Sequence, residues 1–113
     1  MPPEPECWGG VYNYADSLLQ ADRVECNELH LYQTFAVGEL TTVPLHQSEL
    51  VALPQVKKVC KPSVVNRMLD EAHRRPDWDI EVLASQEDGE MFFRCLFGGS
   101  QREEAYKLKP PPK

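Results

Sequence analysis

Cys60 is the side chain of this sequence with the most chemistry to offer, because Lys58 and Lys61 stand beside it and Pro62-Ser63 follows as the opening of a helix. Two ammonium groups and the free amides of a first helical turn stabilise a thiolate, which is what a nucleophilic cysteine requires. Catalysis also requires a base, and none is apparent. His30, His46 and His73 are scattered, with no His-x-x-x-His or Cys-x-x-Cys spacing around them, so they read as surface or edge histidines rather than metal ligands. Asp77, Asp79 and Glu81 alternate as strand residues do. Opposite Gly98 and Leu96 they lack a second carboxylate, and a solvated edge is expected in place of acid–base work. There is no Gly-x-Ser-x-Gly elbow, and Gly98-Gly99-Ser100 lacks the lysine and helix of a phosphate loop, which leaves a turn. We therefore assign no catalytic residue, no metal site and no cofactor.

The elements that would position these groups are clearest between Asp77 and Gly99. Asp88-Gly89 is a two-residue hairpin signal, since both central positions of such a turn take positive φ and Asp-Gly adopts it at little steric cost. Counting outward pairs Glu87 with Glu90, Ala84 with Phe93, Val82 with Cys95 and Ile80 with Phe97, with Trp78 on the same apolar face. The other face pairs Ser85 with Phe92, Leu83 with Arg94, Glu81 with Leu96 and Asp79 with Gly98, a mixture that suits a solvated or partly covered surface. A slip of one residue would bury Asp79 and Glu81, so the register is specified by the pattern.

Upstream, Pro62 suits a first helical turn and Ser63 can cap it, while Val64, Val65, Met68, Leu69 and Ala72 make one apolar stripe. A helix over about 63–75 follows. Asp70 with Arg74 and Glu71 with Arg75 lie four apart on its outer side, and Pro76 stops it. Val11 to Gln20 suggests a short N-terminal helix burying Val11, Tyr14 or Ala15, Leu18 and Leu19. Leu29 to Val37 reads as a strand ending at Gly38, Thr41 to Leu45 as a short edge strand around Pro44, Ser48 to Leu53 as one or two helical turns cut by Pro54, and Glu104 to Lys109 as a last strand. The fold class is α+β: a small antiparallel sheet of three to five strands with one main helix packed on one face. Residues 1–10, rich in Pro and Gly, form a loose arm in which only Cys7 and Trp8 are expected to dock; 11–109 form one domain; 110–113 are a Pro-rich tail.

At 113 residues and 42% hydrophobic content, the chain can bury a core without a metal or a dense disulfide framework. No apolar run reaches the roughly 18–20 residues of a membrane span, and Met1 to Glu6 lack the basic and apolar regions of a secretory signal. Charge is segregated: the nets over residues 1–49, 57–75, 77–90 and 94–113 are −7, +4, −6 and +3. An acidic protein repels phosphate backbones, so nucleic acid is not the expected partner. Lys57, Lys58, Lys61, Arg67, Arg74 and Arg75 nevertheless form a local basic cluster, whose ordinary reading is a solvated helix face.

Four cysteines, Cys7, Cys26, Cys60 and Cys95, permit two disulfides in three pairings, and an oxidised set would mean secretion or an ectodomain. Cys95 falls on the apolar hairpin face and Cys60 beside the helix stripe, positions natural to small buried hydrophobes. No Asn-x-Ser/Thr acceptor is present. Free, intracellular cysteines are the expectation. The leading functional expectation is a non-enzymatic protein–protein interaction module, an adaptor or regulatory subunit, binding another protein through a sheet edge, the basic helix face or Trp8. Next comes an extracellular disulfide-linked domain of a receptor or secreted factor, and third a thiol-dependent enzyme built on Cys60. The tail Lys107 to Lys113 has the composition of a polyproline II ligand, though a linker is the plainer reading.

Overall fold

A computed structural model describes residues 5–28 and 30–98. Five strands, β1 (Cys7–Tyr12), β2 (Gln20–Val24), β3 (Tyr32–Leu40), β4 (Asp79–Glu87) and β5 (Glu90–Gly98), form one antiparallel sheet in the order β2-β1-β3-β5-β4. Between β3 and β4 the chain makes three short helices, α1 (Gln47–Ala52), α2 (Pro54–Val59) and α3 (Pro62–Met68), and a 3₁₀ turn at Glu71–His73.

The β4–β5 hairpin has the register read from the sequence at every pair from Glu87–Glu90 to Asp79–Gly98. Its turn has φ of +52° at Asp88 and +81° at Gly89, the left-handed pair that twists with the strands. At the far end Gly98 is needed for a different reason: a Cβ there would lie 2.2 Å from the Leu31 carbonyl oxygen.

The three helices lie over the apolar face. Leu50, Val56, Val65 and Leu69 pack with Phe35, Trp78, Val82, Phe93, Cys95 and Phe97 in one buried cluster. Phe97 sits at its centre, edge to face with both Phe35 and Trp78 at centroid distances of 5.7 and 5.0 Å, an arrangement worth about 0.5–1.5 kcal/mol beyond area burial for each pair. Tyr32, Leu83 and Leu96 form a smaller cluster, against which Trp8, Val11, Leu19, Ala21 and Leu31 pack. The mixed face of the hairpin is thus covered by the β1–β2 segment.

Several expectations are corrected. The helix over 63–75 is only α3, because Leu69 leaves with extended backbone (φ −108°, ψ 152°) and Ala72 is exposed. Asn66 explains the stop: its Oδ1 accepts from Arg75 N at 3.1 Å and Trp78 Nε1 at 2.9 Å, while its Nδ2 donates to Arg75 O at 2.8 Å. Those three bonds turn the chain back toward β4, and the stepwise i, i+4 pairing of a longer helix gives way to an Arg75 fork on Asp77. No single main helix exists among the described residues.

The short N-terminal helix over 11–20 is replaced by the end of β1, a turn and the start of β2. Asn13 Nδ2 reaches the Ala15 and Ser17 carbonyls, and Tyr14 N donates to Ser17 Oγ, so polar side chains fix a turn where apolar spacing alone suggested helix. Residues 7–10 are not a loose arm but the first part of β1, with Cys7 fully buried. The strand expected over 29–37 begins at Tyr32 and runs on through Gly38 to Leu40, with an irregularity between Thr34 and Ala36. Thr41 to Leu45 form bends and no strand, whereas the helical turns expected at Ser48–Leu53 are α1. Leu29, the strand expected at Glu104–Lys109 and the Pro-rich tail lie outside the described residues.

Candidate functional site: a clipped apolar loop surface

The most organised surface lies where the β1–β2 turn meets the start of α1. Asp16 accepts from Ser48 Oγ at 2.6 Å and from Ser48 N at 3.1 Å, and its own carbonyl accepts from Gln47 N at 3.0 Å. The Ser48 bonds hold the Asp16 carboxyl below its ordinary range, with a smaller contribution from His46, whose Nδ1 lies 3.9 Å away. Gln47 completes the clip: Oε1 accepts from Leu19 N at 2.9 Å and Nε2 donates to Val82 O at 2.8 Å. A single side chain therefore joins the turn to the outer edge of β4. Glu49 accepts from Leu45 N and His46 N, capping α1 and fixing the loop before it.

These bonds hold exposed apolar side chains in place. Tyr14 is 84% exposed, Leu45 72% and Val43 64%, and Tyr12 at the end of β1 and Val51 on α1 are also exposed. Isolated exposed apolar residues are ordinary, but two clipped loops presenting tyrosine, leucine and valine form the kind of aromatic and aliphatic anchors that protein interfaces use. The sequence carried a trace of this: Val43-Pro44-Leu45 alternates well enough to read as an edge strand, and the same apolar side chains are instead displayed on bends.

The seven residues singled out in the sequence do not gather into one site. Lys57 and Lys58 lie exposed on α2, Lys61 is at the N-cap of α3, and Arg67 is exposed in its last turn. Arg74 donates from Nε to Leu69 O, and Arg75 is engaged by Asp77 and by the Trp78 ring, 5.2 Å from its centroid. Trp8 belongs to the opposite layer. Its Nε1 donates to Thr34 Oγ1 at 2.9 Å and Arg23 lies over its ring.

Charged groups on that second layer act as structural ties. Arg94 forks onto Glu6, with Nε–Oε1 at 2.9 Å, and reaches Ser85 Oγ and Glu87 through Nη1. Burial opposes its charge, yet the bonds to Glu6 and Glu87 raise its affinity for the proton overall. Tyr32 donates to Asp79 at 2.5 Å. Half-burial pushes the Glu81 carboxyl above its usual range, with repulsion from Asp79 adding to it, so the edge expected to be solvated is partly covered. His30 is also not a surface histidine: it is 1% exposed, with Nδ1 2.8 Å from Glu28 O. Among the described residues no cluster of three or more His, Cys, Asp or Glu can hold a metal ion.

The cysteines overturn the expectation of free thiols. Cys7 is bonded to Cys26 and Cys60 to Cys95. Cys95 is buried on the apolar face as expected, but as one half of a bridge that fastens the α2–α3 junction to the middle of the sheet. With Cys60 bonded, the thiolate nucleophile has no place in this structure. No family model, no curated protein and no solved structure matches this chain. The reading of function therefore rests on the chain's own geometry.

Proposed function

We propose that this chain is a protein-binding domain of an oxidising, extracellular environment, part of a receptor or secreted factor, and not an intracellular adaptor. The observation that carries the reading is the pair of bridges Cys7–Cys26 and Cys60–Cys95, which together use every cysteine in the chain. Structural disulfides persist in oxidising compartments and are rare where glutathione keeps thiols reduced. Binding, not catalysis, is favoured because the charged groups that pack inward serve as ties between strands, and the loops joined through Asp16 and Ser48 carry exposed apolar side chains.

The contact surface is the clipped loop pair bearing Tyr14, Val43 and Leu45. Asp16 and Glu49 are the carboxylates that hold these loops, so the fitting partner presents an apolar pocket with a basic rim. The test is binding of a bivalent fusion of the domain to intact cells. Tyr14→Asp and Leu45→Asp should each reduce binding about tenfold or more with the melting temperature unchanged, as expected of anchors worth about 2 kcal/mol. Equal binding by both variants and the parent would refute this surface.

A further inference from the structure

We infer that the outer face of α2 and α3 is a binding site for a sulfated polysaccharide. This rests on the extracellular reading given above, where such chains are found, and on an independent feature of the charge distribution. Among the described residues Arg23 and Arg94 are neutralised by Glu6, and Arg75 by Asp77. The helix layer is different. Residues 50–69 contain Lys57, Lys58, Lys61 and Arg67 and not one Asp or Glu. All four are exposed, and no described carboxylate lies within ion-pair distance of them.

Packing leaves these four cations out of the layer pressed onto the sheet. Val56 is buried, Val59 and Cys60 are half-buried, Val65 is buried and Met68 is half-buried, so these residues face the sheet. Lys57 and Lys58 take exposed positions of α2, Lys61 is the N-cap of α3 and Arg67 lies in its last turn. The bridge from Cys60 to Cys95 anchors the junction between them, so the ledge is held in place before any ligand arrives, which lowers the ordering cost of binding.

The nature of the surface selects the anion. None of the exposed large apolar side chains falls on α2 or α3. A protein partner needs an apolar or aromatic anchor, and a single-stranded nucleic acid needs an aromatic platform for its bases. A sulfated polysaccharide needs neither, because it offers closely spaced fixed charge with little apolar surface. A net charge of −6 over the whole chain argues against indiscriminate attraction to polyanions and in favour of a local site.

The experiment uses the full oxidised chain and three immobilised probes: heparin, fully desulfated heparin of the same length, and poly-glutamate. The parent should bind heparin with an affinity that falls steeply with salt, and bind the other two at least tenfold more weakly. The triple variant K57Q/K58Q/K61Q should lose about a hundredfold, each basic group near an anionic surface contributing about fivefold, while R75Q, whose cation is already paired, stays within about twofold. Melting temperatures of both variants should match the parent. Passage of the parent through heparin at low salt, or retention of the triple variant, would overturn the site. Comparable binding to poly-glutamate would overturn the polysaccharide assignment in favour of an acidic protein. Finding four alkylatable thiols would defeat the extracellular reading without altering the heparin result, so the two failures are distinguishable.

Discussion

The two faces of the sheet are covered by layers of opposite character. On one side three short helices bring aliphatic side chains onto Phe35, Trp78 and Phe97, and the layer is almost wholly apolar. On the other the β1–β2 segment lies over Tyr32, Leu83 and Leu96, and much of what holds it is polar: the Arg94–Glu6 fork, the Trp8–Thr34 bond and the Tyr32–Asp79 bond. Each layer is made of pieces too short to be stable alone, since isolated helices of fewer than about 12–15 residues and lone hairpins are marginal in water. Each also contains one disulfide. Cys60–Cys95 fastens the helical layer to the interior strand β5, and Cys7–Cys26 fastens the end of β2 back onto β1. Burial thus supplies most of the cohesion on one face and directional bonding on the other, with a covalent staple common to both.

That contrast can be broken most directly in the cores. Phe97→Ala, which removes the ring between Phe35 and Trp78, should cost about 3–5 kcal/mol in chemical denaturation, whereas Leu83→Ala in the smaller cluster should fall at the low end of the roughly 2–5 kcal/mol range. Equal losses would mean that the two layers are equally dependent on burial. The staples come next. Replacing Cys60 and Cys95 together by Ala, or Cys7 and Cys26 together, should each cost about 3–4 kcal/mol in the chain-entropy model. Hydrogen exchange should localise the loss, to amides of α1–α3 in the first variant and of β1–β2 in the second. Loss of protection spread evenly over both layers would deny their separate stapling.

The smallest expected effects concern two carboxylates shifted in opposite directions. Asp16 is held low by Ser48, so its clip contributes stability above the unfolded value of 3.8 and loses it as pH falls through the lower folded value. Asp16→Asn should therefore lower the melting temperature at pH 7, and the difference should close in strong acid. Glu81 is raised above 4.5 by burial, so its ionisation opposes folding, and stability falls as pH rises through the raised value. Glu81→Gln should be neutral to slightly stabilising at pH 7, within about 0.5 kcal/mol, with the gain vanishing near pH 4. A gain that persisted in acid would show that charge is not its cause.

Legibility in the sequence follows the range of the interactions. The β4–β5 hairpin could be registered residue by residue because Asp88-Gly89 and the alternation beside it are local signals. Helix α3 was visible at its start, where Pro62 acts locally, and not at its end, where Asn66 bonds to Arg75 and Trp78, nine and twelve residues away. The β1–β2 segment was misread because Val11, Leu18 and Leu19 fit a helical stripe, while the bonds that make it a hairpin are a polar turn and a disulfide that spacing does not identify. The apolar loop surface was missed for a related reason. Tyr14 and Leu45 are thirty-one residues apart, and long-range bonds from Asp16 and Leu19 to Gln47 and Ser48 bring their loops together.

The proposed placement of this disulfide-stapled domain outside the cell is tested by a disulfide map of the chain purified from its native source, alkylated before any reduction. The account requires an intact mass lower by four hydrogens than the reduced chain, with peptides joined as Cys7–Cys26 and Cys60–Cys95. Alkyl groups on all four cysteines would contradict it and return the chain to the intracellular class.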